Sequence, residues 1–150
     1  MYILGISCFY HDSAACLLYN GAIVSASQEE RFTRVKHDSA FPISSIESCL
    51  DIAGIAISDV DYVVFYEKPF LKFERLLETA MAFAPLGFKA FFSAMPVWVK
   101  DKIFQKRTII GHLESITGPY VNWEERLLFS EHHLSHSSSA FFPSPFNDSA

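Results

Sequence analysis

Apolar residues open this chain in short runs of strand length. The first, Tyr2 to Cys8, is rich in strand formers, and a second, Ala14 to Tyr19, is separated from a third, Ala22 to Gln28, by Asn20-Gly21. Asn-Gly between apolar runs predicts a tight hairpin, because both central residues of a type I′ turn take positive φ. Three antiparallel strands are therefore expected at the start. The charged stretch E29-E-R-F-T-R-V-K-H-D-S39 then reads as loop. Apolar residues at 43, 46, 49, 50 and 53 follow the helical spacing, with Pro42 suited to the first turn and Gly54 to the C-terminal stop. Asp61 to Tyr66, D-Y-V-V-F-Y, predicts a buried strand. Helices are expected from about Phe70 to Ala84, from about Gly87 to Gln105 and around Ile109 to Ile116, before a last strand at Arg126 to Phe129.

The predicted order, β-β-β-α-β-(helices)-β-α, describes an α/β domain with a mixed five-stranded sheet and helices on its faces. The end, F146-N-D-S-A150, reads as the first residues of another strand, so the chain is expected to be a fragment of a larger protein. Its 150 residues fit one domain, and 50% hydrophobic with 19% charged residues is a globular balance. A net charge of -5 argues against a nucleic-acid surface, which needs clustered Lys and Arg. Three cysteines, Cys8, Cys16 and Cys49, with no C-x-x-C, suit a reducing cytoplasm and buried or idle thiols. Ala80 to Val99 carries one charge over twenty residues, but Pro85, Gly87, Lys89 and Pro96 interrupt it. It is expected to form a partly buried helical pair and no membrane span.

Three of the six histidines fall within five positions, in S130-E-H-H-L-S-H136. Ser130 is a good N-cap and Pro143 forces a stop, which predicts a helix over 131–142. On it, His132 and His136 sit at i and i+4 on one face, a spacing that lets two imidazoles reach one metal ion. In the H-E-x-x-H helix of zinc proteases a glutamate supplies the general base, whereas here that position is His133. The plainer alternative is a polar helix face carrying unrelated histidines. Small serines around the pair leave room for a ligand, and His133 can orient neighbouring groups or bind substrate. Two nitrogens make half a metal site, so the other ligands must come from elsewhere. A second constellation, F9-Y-H-D-S-A-A15, places His11 beside Asp12 at a strand-connecting tip. It can serve as a general base with a carboxylate neighbour, or as turn chemistry alone. The third, R31-F-T-R-V-K-H37, offers cationic donors to a phosphate, or is simply a solvated loop.

Taken together, G5-I-S-C-F-Y-H-D-S-A-A-C-L-L-Y-N-G-A-I-V-S-A-S-Q-E-E-R-F-T-R-V-K-H-D38 and E131-H-H-L-S-H-S-S-S-A-F-F-P-S-P-F146 resemble the N-terminal part of the NodU/CmcH-type O-carbamoyltransferases. These are nodulation-factor and antibiotic-tailoring enzymes. The resemblance implies an actin-like (ASKHA) fold of two ribonuclease-H-like lobes, with residues 1–150 as the first. The second lobe and an adenylate-forming domain would lie outside this chain, which alone would be inactive. It also implies carbamoyl transfer, from carbamoyl phosphate and ATP through carbamoyl adenylate, to a hydroxyl of a small-molecule acceptor such as a sugar, antibiotic or nodulation factor. His132 and His136 would be ligands to a divalent metal, iron(II) in the family, with an aspartate from the second lobe. His11 would be the general base on the acceptor hydroxyl, Asp12 would support its loop, and Lys36 would contact acceptor or carbamoyl adenylate. Imidazole also suits Zn, Ni and Cu, so residue type does not select iron. The carbamoyl-transfer domains of hydrogenase maturation and tRNA threonylcarbamoylation are related alternatives, against which the two loop motifs and the acidic charge speak. A non-enzymatic metal-binding or assembly module is an alternative of a different class.

Overall fold

Asn20 and Gly21 both take positive φ, 49° and 87°, and the hairpin they close joins Ala14–Tyr19 (β2) to Ala22–Gln28 (β3). A computed structural model describes residues 1–68, 77–84 and 104–148. Tyr2–Ser7 (β1) pairs antiparallel with β2 and, on its other side, parallel with Tyr62–Phe65 (β4). Leu127–Phe129 (β5) continues the parallel part beside β4. The sheet is thus five-stranded and mixed, in the order β3-β2-β1-β4-β5. The sequence-derived architecture is borne out in these terms.

One face of the sheet makes the core. Leu4 and Ile6 of β1, Leu17 of β2, and Val63 and Phe65 of β4 are buried there, as the period of two predicts. The helix Ile43–Ala53 (α2) contributes Ile46, Cys49 and Leu50, and the helix Gln105–Thr117 (α3) contributes Ile109, Ile110 and Leu113. Burying a side chain of this size contributes roughly 1.5–3 kcal/mol, so these few residues dominate the stabilisation. The opposite face is more open: Ile23 is 63% and Leu128 45% exposed. Gly54 ends α2 at φ 66°, and its N–H and that of Ile55 close back on the carbonyls of the last turn, as expected of a glycine stop.

Several boundaries depart from the sequence reading, each for a local reason. The stretch after β3 is not all loop: Glu30–Thr33 forms a single helical turn (α1). Its leading residue, Glu29, is buried and caps α2 from a distance. Its Oε1 accepts from the Ser44 N–H at 3.0 Å and its Oε2 from the Ser45 N–H at 2.8 Å, because the N-cap Pro42 has no side-chain acceptor to do so. The helix expected around Ile109 is longer, starting at Gln105. Arg126 ends the turn Trp123–Arg126 (α4), and its guanidinium donates to the carbonyls of Ser58 and Val60, so the last strand begins one residue later. Of the expected Phe70–Ala84 and Gly87–Gln105 helices, residues 77–82 are helical and most of the remainder lies outside the described residues. The Ala80–Val99 segment falls largely outside them too. No described helix is long and apolar enough to cross a membrane. Residues 146–148, expected to begin a strand, are irregular.

Removing the Glu29 carboxylate leaves two N–H groups at the start of α2 without their partner. Glu29→Ala is expected to cost about 2–3 kcal/mol and Glu29→Gln, which keeps one acceptor, about 1 kcal/mol, as read from urea unfolding midpoints. Equal stability of wild type and Glu29→Ala would show that α2 does not depend on this distant cap.

Candidate functional site

Because β1, β4 and β5 run parallel, their carboxyl ends share one edge of the sheet. β2 begins and β3 ends at the same edge, where Ala14 pairs with Gln28. The β1–β2 loop, the stretch after β3, the residues after β4 and the histidine helix therefore all leave from this side. Carboxyl edges of this kind are where α/β folds gather ligands. All three segments singled out by sequence converge there.

Two of them are joined through Asp12. His11 Nδ1 lies 2.7 Å from Asp12 Oδ2, and His37 Nδ1, from the other loop, lies 2.9 Å from Oδ1. These two hydrogen bonds hold the Asp12 carboxyl below its ordinary value of 3.8, the bond from His37 contributing most. The backbones are laced together as well: Phe9 N–H donates to Ser39 O, Ser13 N–H to Asp38 O and Glu29 N–H to Ser13 O, each at 2.8 Å. Asp38 braces the second loop by accepting from Thr33 Oγ1 at 2.8 Å and from the Ala40 N–H at 2.9 Å. Phe9, Asp12, Arg34 and His37 all have left-handed backbones, at φ 71°, 50°, 61° and 55°. Such conformations cost energy for residues with a Cβ, most of all for a bulky ring, and they persist only when the surroundings enforce them. The Phe9 ring is held among Phe41, Phe65 and His112 of α3. Buried Ser13 Oγ has no partner among the described residues, the condition of a hydroxyl that a ligand can satisfy.

The helix His132–Phe141 (α5) begins one residue later than expected, and the residue ahead of it is Glu131, not Ser130. Ser130 is occupied otherwise: its N–H donates to Phe65 O at 2.8 Å and prolongs the β4–β5 pairing. The preceding strand, β5, lies at the sheet edge, with Leu127 buried and Leu128 exposed. His132 and His136 stand as their spacing predicts. Their Nε2 atoms are 3.1 Å apart and their rings nearly perpendicular, at 85°. That separation is less than twice a metal–imidazole bond of about 2.1 Å, so one ion can contact both nitrogens. The pair fits a metal as half of its ligand set. Among the described residues no group of three or more His, Cys, Asp or Glu is placed to complete it. His133 meets the edge of the His132 ring, at 5.8 Å between centroids, and remains exposed. Lys36 is exposed and makes no ion pair with a described residue.

Tyr66, just past β4, ties α5 to the sheet. Its carbonyl accepts from Ser135 Oγ at 3.1 Å, and its ring lies 5.8 Å from that of His132. Burial, then Glu67, Cys8 and Tyr10, pushes the Tyr66 phenol up to about 12, so it remains protonated at neutral pH. Tyr66 was not singled out by the sequence reading, and His37 only as the end of the basic stretch, with no role of its own. The only available signals were a tyrosine at the end of a predicted strand and a histidine closing a basic run. Cys8, at the base of the same loop, is pushed up to about 12 by burial and is no nucleophile near neutrality.

Comparison with known proteins gives a consistent family. The family model for the carbamoyltransferase N-terminus matches residues 2–150. An uncharacterized protein of Synechocystis sp. is 53% identical over 149 residues, covering 99% of this chain and 24% of that protein. The nodulation protein NolNO of Sinorhizobium fredii is 32% identical over 144 residues, 94% of this chain and 19% of its own length. The chain therefore spans a quarter or less of these two relatives.

Burial of Cys8 generates a direct test. In the folded protein at pH 8, Cys8 is expected to stay unmodified by iodoacetamide over a period that modifies all three cysteines in urea, with labelling mapped by peptide mass spectrometry. Rapid native labelling of Cys8 would contradict its enclosure.

Proposed function

The chain belongs to the carbamoyltransferase N-terminus family, of the NodU/CmcH type, and we propose that it supplies the acceptor-activating side of the transfer site in a longer enzyme. The observation that carries this reading is the arrangement of His11 on Asp12 at the sheet edge from which the His132–His136 helix also departs. The reaction proposed is transfer of a carbamoyl group, formed as carbamoyl adenylate from carbamoyl phosphate and ATP, to a hydroxyl of a small molecule. In this reading the domain is the first lobe of an actin-like pair and works in the cytoplasm.

An alcohol is a poor nucleophile, so its proton must leave as its oxygen attacks the carbamoyl carbon. With Nδ1 donated to Asp12, neutral His11 presents the Nε2 lone pair to that proton. The new C–O bond forms, the bond from the carbamoyl carbon to the adenylate phosphate breaks, and AMP leaves as the anion. His11 then holds the proton as an imidazolium stabilised by Asp12. Lys36, exposed and unpaired among the described residues, is free to meet the phosphate or the acceptor, and His133, exposed beside His132, would bind substrate. His132 and His136 would hold a divalent metal, iron(II) in this proposal. When bound, it would supply positive charge to neutralise the phosphate of the donor.

Two measurements test the reading on the full-length enzyme. Metal analysis is expected to find one divalent transition metal per chain, lost in His132→Ala and in His136→Ala; unchanged occupancy in both variants would remove the metal site. His11→Asn should preserve metal content and carbamoyl adenylate formation while transfer to the acceptor falls by about 10²-fold, the usual scale for loss of a positioned base. Transfer at the wild-type rate in that variant would require a different base.

A further inference from the structure

Asp12 is shared. A general base braced by a carboxylate requires one bond, from His11 Nδ1 to Oδ2, yet the second oxygen is engaged equally closely by His37 Nδ1. An ionised carboxylate can only accept, so both rings carry a proton on Nδ1 and, when neutral, leave Nε2 bare. The bridge spans two loops, and it is reached at the expense of left-handed backbone at both Asp12 and His37. Neighbouring bonds enforce it from both sides, Ser13 N–H on Asp38 O and Thr33 Oγ1 on Asp38 Oδ2. Solvent could satisfy the second oxygen without strain, since the Asp12 side chain is 38% exposed. The fold places a second imidazole there instead.

The physical effect is on orientation. A half-exposed carboxylate with one partner can still rotate about its Cβ–Cγ bond and let the attached ring swing. Engaging the second oxygen from an independent loop removes that rotation. We propose that His37 is a positioning residue for the transfer reaction, which fixes Asp12 and through it the tautomer and direction of His11. The inference rests on the reading of His11 as the base. It assigns the basic stretch after β3 a role distinct from binding phosphate.

Two substitutions in the full-length enzyme separate this role from others. His37→Phe keeps a ring but has no N–H, while His37→Asn places an amide N–H where Nδ1 stood. The expected result for His37→Phe is a kcat for transfer about tenfold lower at unchanged acceptor KM and unchanged metal content, with His37→Asn recovering to within about threefold of wild type. Wild-type turnover by His37→Phe overturns the inference, and so does a raised acceptor KM at constant kcat, which marks a ligand contact. Equal losses in the two variants also overturn it, because the ring's own Nε2 would then be acting. The parent reading fails separately: if His11→Asn transfers normally, the base is wrong, whereas a slow His11→Asn beside a normal His37→Phe removes only the role of His37.

Discussion

The parallel pairing of β1 with β4 and of β4 with β5 is the constraint on which the site depends. Parallel neighbours cannot be joined by a tight turn, so the chain must cross back over the sheet between them, and each strand then delivers its carboxyl end to the same edge. The antiparallel hairpin adds the remaining segments there, since an antiparallel strand starts where its neighbour ends. Residues 11, 37 and 132, distant in sequence, are brought to one side by strand direction alone. The hydrophobic face of the sheet keeps this register, because slipping a strand by one residue would turn Leu4, Ile6 or Val63 away from the core.

Periodicity and turn chemistry made most of this frame legible. Asn20-Gly21 announced the hairpin, the spacing from Ile43 to Ala53 announced α2, and Gly54 marked its end. These signals are local, and local physics decides them. The i,i+4 relation of His132 and His136 was legible for the same reason, since a helix fixes that geometry wherever it forms.

The unread features are those made between distant segments. Glu29 lies in a run of charges and looks solvated, yet it is buried because α2 has no polar N-cap of its own and its amides recruit a carboxylate fifteen residues upstream. His37 closes a basic stretch that suggests phosphate, and its partner is an aspartate in another loop. Ser130 has the composition of a cap, but the edge of β4 claims its amide first. In each case a tertiary partner outweighed a local preference. No reading of spacing along the chain contains that partner.

The left-handed residues in the two loops carry a consequence for motion. Phe9 and Asp12 belong to one loop, Arg34 and His37 to the other, and the two are tied by Phe9 N–H to Ser39 O, Ser13 N–H to Asp38 O and the His37–Asp12 bond. Neither loop can relax its own backbone without releasing its neighbour from the contacts that oppose relaxation. Segments tied in this way open as one cooperative unit. The imidazoles of His11 and His37, both bonded to Asp12, are then held or released together.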